Sequence, residues 1–213
     1  SEVTFWAGSF WNTDFGFVVG DSGTILKTSN AGITWERQSS GTSSTLYGVS
    51  MYDKKSALVV GDHGTILRTS EGGSSWYTIP SITLQSLRSV AFADSETATA
   101  GGIGVMLHST DGGKSWLARP LDKSAGLFAI SYVSSSVGMA VGGRNSGQGV
   151  ILKTTDSGIT WNNKEPDWMW NLFGLSVVNE RIATAVGTWG IIVRTTDGGN
   201  TWKSIPQACL LRK

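Results

Sequence analysis

Short apolar runs separated by turn residues recur along the whole chain. In the second unit these runs occupy residues 46–52, 57–61, 65–70 and 76–79, and each is bounded by Gly, Ser, Asn or Asp. Runs of this length, with many β-branched residues, are typical of strands. Because no ten-residue window keeps a 3.6-residue apolar period, the pattern predicts an all-β protein.

Each unit also carries one polar motif, here called the box. A Ser or Thr is followed two residues later by an acidic or amide residue, then by Gly after two more and by Trp after a further three. The five copies are Thr28-Asn30-Gly32-Trp35, Thr69-Glu71-Gly73-Trp76, Ser109-Asp111-Gly113-Trp116, Thr154-Asp156-Gly158-Trp161 and Thr195-Asp197-Gly199-Trp202. The tryptophans are 41, 40, 45 and 41 residues apart.

Four short antiparallel strands in every 40 to 45 residues are typical of a β-propeller blade. The sequence therefore predicts a five-bladed β-propeller of four-stranded antiparallel blades, with the box turn between the third and fourth strands. We expect a single domain over residues 1–213, with blades at about 3–41, 42–82, 83–122, 123–167 and 168–208. The extra length of the fourth unit falls in the loop at 142–149, between strands.

We interpret the boxes as structural. Their hydroxyl and carboxylate groups can bond backbone groups of the same turn, and their Gly can adopt positive φ. We expect the Trp to lie in the seam between blades. Five equivalent carboxylates spaced around a ring cannot converge on one substrate, which disfavours a catalytic or metal-binding role.

Composition narrows the function further. The chain has 28 Gly, 4 Pro and a formal net charge of +1, so nothing favours nonspecific binding to nucleic acid or to an anionic membrane. Cys209 is the only cysteine, so no disulfide forms within the chain. There is neither an apolar run long enough for direct membrane insertion nor a signal-peptide pattern at the start. We expect a monomer.

The box and the fuller unit, Leu-Phe-Gly…Val-Gly…Gly-x-Ile-Leu-x-Thr-Thr-Asp-Gly-Gly-x-Thr-Trp, resemble Asp-box (BNR) propellers. Over residues 3 to about 206 the unit is similar to that of the photosystem II assembly and stability factors. The resemblance implies a non-catalytic scaffold that binds a protein or peptide client, including a membrane-protein segment, in an extracytoplasmic, thylakoid-lumen or periplasmic compartment. Members of that family resemble seven-bladed rings, whereas this chain has five units.

The mouth of the ring that lacks the boxes is the candidate binding face, because its loops are free to vary. The second residue of each inner strand could ring the channel there; these residues are Trp6, Tyr47, Arg88, Phe128 and Phe173. Further candidates come from loops at the same mouth, namely His63, Arg144, Trp168, Trp170 and Trp189. Aromatic residues and Arg are common anchors in peptide and protein sites. The alternative is that the inner aromatics only pack between blades.

A basic or titratable residue also recurs on the third strand, at Lys27, Arg68, His108, Lys153 and Arg194. This set could bind an acidic partner. Alternatively, each aliphatic stem packs on the next blade with its polar head at the rim, which we favour.

Two other functions remain open. A sialidase-like glycoside hydrolase needs an arginine cluster and a Tyr–Glu pair, yet only Arg88 and Arg144 are expected near the axis. Glycan binding without hydrolysis could use Trp168, Trp170 or Trp189 for stacking. We expect no catalytic residues, no cofactor and no metal site, since His63 and His108 fall in different units.

Overall fold

The protein forms five four-stranded antiparallel sheets, as seen in a computed structural model that describes residues 2–164 and 170–205. In every sheet the four strands lie side by side in chain order. The helical content of the described residues is two single turns of 3-10 helix, Asp62–Gly64 and Thr188–Gly190. The all-β class, the five blades and the position of the box between the third and fourth strands are confirmed.

The strands are numbered in chain order, four to a blade. Blade 1 holds β1 (Phe5–Phe10), β2 (Gly16–Gly20), β3 (Ile25–Thr28) and β4 (Glu36–Gln38). Blade 2 holds β5 (Leu46–Met51), β6 (Ala57–Gly61), β7 (Ile66–Thr69) and β8 (Tyr77–Thr78). Blade 3 holds β9 (Leu87–Phe92), β10 (Ala98–Gly102), β11 (Val105–Ser109) and β12 (Leu117–Arg119). Blade 4 holds β13 (Ala125–Tyr132), β14 (Gly138–Arg144), β15 (Gly149–Thr154) and β16 (Asn162–Asn163). Blade 5 holds β17 (Leu172–Val177), β18 (Ala183–Gly187), β19 (Ile192–Thr195) and β20 (Lys203–Ser204).

The boxes close the turn between the third and fourth strands through two sets of hydrogen bonds. The first hydroxyl accepts from the amide of the box Gly, as in Gly158 N to Thr154 Oγ1 at 2.9 Å. The carboxylate accepts from the backbone four residues on, as in Thr160 N to Asp156 Oδ1 at 2.9 Å. All five box glycines have φ between 80° and 89°. The interpretation of the box as a turn is therefore confirmed in its geometry.

The core lies in the seams between blades. Each of four clusters of buried side chains joins one blade to the next, from blade 1 through blade 5. The box Trp packs against the preceding blade; for example, the Trp76 and Phe17 ring centroids are 5.3 Å apart. No comparable cluster among the described residues joins blade 5 to blade 1. The two terminal blades therefore each keep one face uncovered.

Candidate functional site at the mouth of the propeller

An irregularity in each inner strand positions the predicted mouth residues. The antiparallel pairing of the first and second strands skips one residue of the inner strand in every blade. A bulge of this kind leaves the extra residue outside the ladder and redirects its side chain. The five skipped residues are Trp6, Tyr47, Arg88, Phe128 and Phe173.

A glycine at or near the end of the second strand permits the bulge. At Gly61, for example, a Cβ atom would overlap the carbonyl oxygen of Thr45, just before the inner strand. The same overlap would occur at the four equivalent positions, Gly20, Gly102, Gly142 and Gly187. The glycine that recurs at or near the end of this strand is thus required for the close approach that turns the mouth residues inward.

The skipped residues meet in one cavity of about 420 Å³. We call this cavity the central site, and its lining is Trp6, Tyr47, Arg88, Ile103, Phe128 and Phe173. Every blade therefore contributes to it. Ile103 was not among the predicted residues, although its place between the second and third strands of blade 3 matches that of Asp62 and His63 in blade 2.

Two carboxylates fix the rings on one side of the central site. The Trp6 indole donates to Asp21 at 2.8 Å, and this bond is the main reason that the pKa of Asp21 is lowered. The Tyr47 hydroxyl donates to Asp62 at 3.0 Å, and Ser86 donates to the other oxygen of Asp62 at 2.7 Å. Burial and then the bond to Asp62 raise the pKa of Tyr47. Both rings are therefore held in place by the hydrogen bonds that they donate to these carboxylates.

Arg88 supplies the positive charge of the central site. Its guanidinium carbon lies 3.8 Å from the centroid of the Tyr47 ring, and Tyr47 in turn meets Trp6 edge-on at 5.5 Å. On the opposite side, the Phe128 and Phe173 rings lie 5.3 Å apart. A guanidinium stacked on an aromatic ring keeps its in-plane donors available for an anion. The site thus combines apolar walls with one cation.

A second cavity of about 230 Å³ shares Ile103 and Phe128 with the central site. It also contains Arg144, which is ion-paired with Asp122. The backbone amide and hydroxyl of Ser124 are the main causes of the lowered pKa of Asp122. The predicted mouth residue Arg144 is therefore placed beside the central site but directed toward its own carboxylate.

The remaining predicted residues lie elsewhere. His63 is exposed on a 3-10 turn with φ of 55° and does not line the central site. Trp170 and Trp189 come together in a separate cavity on blade 5, of about 260 Å³, and Trp189 is 93% exposed. Trp168 lies outside the described residues.

Two of the third-strand basic residues bond across seams. Arg68 Nε donates to the Gly112 carbonyl at 2.8 Å and Lys153 Nζ to the Gly198 carbonyl at 2.6 Å, each in the box of the following blade. His108 is 1% exposed in the seam between blades 3 and 4. These two bonds and the burial of His108 support the packing alternative over a ring that binds an acidic partner.

Among the described residues, no group of His, Cys, Asp and Glu is arranged to hold a metal ion. Within the same ranges, no helix combines the length and the apolar character needed to cross a membrane.

Comparison with known proteins gives a family model and a set of solved folds. The model for photosynthesis system II assembly factor YCF48 matches residues 35–127. A structure of YCF48 bound to D1 peptide is 19% identical, with 95% of this chain and 82% of that chain covered and a TM-score of 0.54. YCF48 from Cyanidioschyzon merolae is 18% identical, with coverage of 97% and 86% and a TM-score of 0.53. No curated protein matches the sequence.

Glycoside hydrolases share the architecture as well. The GH74 enzyme of Niastella koreensis is 18% identical over 94% of this chain, with a TM-score of 0.71, and the match spans 38% of that enzyme. At this identity the likeness concerns the fold, which hosts both binding proteins and enzymes. The chain is a BNR-like β-propeller that resembles the photosystem II assembly factor family.

Proposed function

We propose that the chain is a non-catalytic scaffold, resembling a photosystem II assembly or stability factor, that binds a peptide or protein client at the central site. The observation that carries the proposal is the convergence of one residue from every blade on a single cavity of about 420 Å³. Residues aimed at one point by five separate bulges are better explained by a shared ligand than by packing within any one seam.

The lining chemistry suits a short peptide segment. Trp6 and Phe173 are 53% and 52% exposed, so the walls present apolar surface that a client side chain would cover. Burial of an apolar side chain contributes about 1.5–3 kcal/mol. The Arg88 guanidinium would bind a carboxylate, either of Asp or Glu or of a chain end, through paired hydrogen bonds. The client segment thus carries an apolar side chain close to a carboxylate.

The match to a propeller with a bound peptide supports this choice of ligand class. A segment of a membrane protein, which the resemblance to the photosystem II assembly factors implies as client, fits the proposal. The carboxylates beside the central site favour binding over hydrolysis. Asp21 and Asp62 both accept hydrogen bonds from the rings that they orient, and the pKa of Asp21 is lowered, whereas a glycosidase acid needs a raised pKa.

Selection of random peptides displayed on phage tests the proposal. We expect wild-type protein to enrich sequences with an apolar residue beside Asp, Glu or a free carboxyl end. Arg88→Ala should weaken the enriched peptides about tenfold or more, since a charge-assisted hydrogen bond contributes about 1.5–3 kcal/mol. Arg37→Ala, on the exposed strand β4, is the matched control. Equal enrichment on wild type and on a Trp6→Ala, Arg88→Ala variant would overturn the proposal.

A labelled D1 peptide adds a second arm to this experiment. Binding that depends on Arg88 would support a role like that of the photosystem II assembly factors. Selected peptides that bind while the D1 peptide does not would retain the peptide-binding scaffold and remove the assembly-factor role.

Glycan binding is a second candidate because of Trp189. Its ring is almost fully exposed, although φ of 57° and the bond from Ile191 N to Thr188 O hold its backbone in a fixed turn beside Trp170. A rigid, exposed indole can stack on a sugar ring. A glycan array should then show spots that Trp189→Ala removes and Arg88→Ala does not. An array without such spots would end this alternative.

A further inference from the structure

One pair of residues occupies the mouth end of each seam. The first member follows the glycine of the second strand in one blade, and the other member precedes the inner strand of the next blade. Between blades 2 and 3 these residues are Asp62 and Ser86, and Ser86 Oγ donates to Asp62 at 2.7 Å. Between blades 1 and 2 they are Asp21 and Thr45, again an acid and a hydroxyl. Both members of the pair therefore carry a side chain at these two seams.

At the next two seams one member of the pair is glycine. Between blades 3 and 4 the pair is Ile103 and Gly126, whose backbones form a bridge. Between blades 4 and 5 the pair is Gly143 and Asn171. Neither Gly126 nor Gly143 has a positive φ, so the backbone conformation does not demand glycine at either position. The two missing side chains leave space where the earlier seams carry an acid or a hydroxyl.

The second cavity, of about 230 Å³, lies between these two pairs. All four residues of the pairs line it, together with Phe128, which it shares with the central site. Gly126 and Gly143 face each other across β13 and β14, so two neighbouring backbones without side chains border the cavity. Glycines of this kind allow a ligand to approach the backbone closely. The cavity thus arises from substitutions in blade 4 and not from the repeat itself.

The lining of the second cavity combines apolar and amide groups. Ile103 and Phe128 are common to the two cavities, and the charge of Arg144 is compensated by its ion pair. Asn171 Oδ1 is buried and accepts from no described group, and a Cβ atom on Gly143 would come within 1.9 Å of it. A buried amide oxygen without a donor is costly. Because the terminal torsion of Asn is broad, the carboxamide can turn either polar atom toward a ligand.

We propose that the second cavity holds a tyrosine side chain of the client, and this inference rests on the peptide-binding function proposed above. The tyrosine ring lies against Phe128 and the two glycines, and its hydroxyl bonds the Asn171 carboxamide. Tyrosine has an apolar body and an uncharged polar tip, which match this lining. A phenylalanine would leave the carboxamide without a partner.

The spacing of the two cavities sets the position of the tyrosine in the client. Side chains at i and i+2 of an extended peptide point to the same side and lie about 7 Å apart. Phe128 borders both cavities, so side chains in the two cavities contact the same ring from different sides. The tyrosine therefore stands two residues from the apolar side chain that occupies the central site.

Three synthetic peptides test the proposal. All carry the apolar residue and the carboxylate selected on the wild type, and they differ in Tyr, Phe or Ala two residues from the apolar side chain. We expect the wild type to bind the Tyr peptide about fivefold more tightly than the Phe peptide, since the two differ by one hydrogen bond between neutral groups. Asn171→Ala should bind these two peptides alike.

Gly126→Ser places at this seam the side chain that Ser86 has at the preceding one. It should weaken the Tyr peptide about tenfold by filling the cavity. The Ala peptide, which leaves the cavity empty, should keep its affinity. Asn162→Ala, on the exposed strand β16, is the control and should retain the wild-type preference for Tyr. Thermal midpoints verify that the variants fold, and either cavity variant is sufficient if the other is unstable.

Equal affinity of the wild type for the Tyr and Phe peptides overturns the proposal. So does a preference for Tyr that survives Asn171→Ala or Gly126→Ser. Peptides that bind equally to the wild type and to Arg88→Ala would instead overturn the function of the central site, on which the proposal depends.

Discussion

At the scale of single residues, the chain uses the same box chemistry five times. Thr154 shows why the hydroxyl is needed: it is fully buried, donates to Asp156 at 2.7 Å and accepts from the Gly158 amide at 2.9 Å. A buried amide without an acceptor loses its hydration without compensation. The short polar side chains of the box therefore act as backbone partners, and their spacing follows from the turn.

Thr154→Val tests this reasoning. The substitution keeps the shape of the side chain but removes the hydrogen bonds of its hydroxyl, so we expect the free energy of unfolding to fall by about 1–3 kcal/mol. Chemical denaturation measures the change. Thr155→Val, at the adjacent exposed position, is the matched control and should change stability by less than about 0.5 kcal/mol. Equal effects at the two positions would contradict the role given to the box hydroxyl.

At the scale of elements, the seams join one blade to the next through long side chains as well as apolar ones. Arg68 spans the seam from β7 to the box of blade 3, and Lys153 does the same from β15 to the box of blade 5. Between blades 3 and 4 the corresponding residue is His108, and Tyr132 makes the polar contacts instead. Its hydroxyl lies 2.7 Å from Thr99 Oγ1 and donates to the Ser157 carbonyl at 3.4 Å, and burial raises its pKa to about 12.

Arg68→Met removes the bond across the seam between blades 2 and 3 but retains an aliphatic stem. We expect a loss of about 1–3 kcal/mol in the free energy of unfolding, as for other hydrogen bonds from charged groups. Urea denaturation provides the measurement. Arg37→Met, on the exposed fourth strand, should leave stability nearly unchanged. A similar loss in both variants would mean that Arg68 affects stability through its charge and not through the hydrogen bond to Gly112.

His108 makes the seam between blades 3 and 4 sensitive to acid. Burial is the first cause of its lowered pKa and the nearby Arg119 is the second, while Asp156 acts in the opposite direction. In the unfolded chain the His108 ring is protonated below its ordinary pKa of 6.5. In the folded seam its pKa is lower, so protonation needs a lower pH. The contribution of His108 to stability is therefore complete above pH 6.5, and it declines as the pH falls toward the pKa of this histidine in the folded state.

Thermal midpoints recorded between pH 7.5 and pH 5 should show this decline in the wild type and a smaller one in His108→Leu. His63 is the only other histidine, and it is exposed, so His63→Gln should retain the wild-type pH dependence. An unchanged pH slope in His108→Leu would show that another group is responsible.

At the scale of the whole molecule, the repeat predicts most of the fold. The spacing of the boxes predicts the five sheets. The extra residues of the fourth unit, expected in a loop at 142–149, instead lengthen β14 and β15, where Gly142 pairs with Val150 and Gly143 with Gly149. The second residues of the inner strands are also predicted, and the bulge opposite the strand-end glycine explains why all five reach one cavity. The binding role of that cavity stays a prediction.

Other features depend on contacts that the repeat pattern does not encode. Ile103 joins the central site because the loop after β10 is short, whereas the same loop in blade 2 directs His63 to solvent. Arg144 lies beside the central site, where the repeat predicts it, but the ion pair with Asp122 directs its charge away from that site. The open faces of blades 1 and 5 follow from the absence of a fifth apolar cluster among the described residues, which a count of units cannot reveal.

The central claim is that a client occupies the mouth, and nuclear magnetic resonance of the tryptophan indole N–H groups tests it most directly. Titration with a peptide selected on the wild type should shift the Trp6 signal, because its indole lies in the wall of the central site. The signals of Trp116 and Trp202, buried in seams, should stay in place. A bound peptide that leaves Trp6 unmoved, or that shifts only the Trp170 and Trp189 signals on blade 5, would contradict the account.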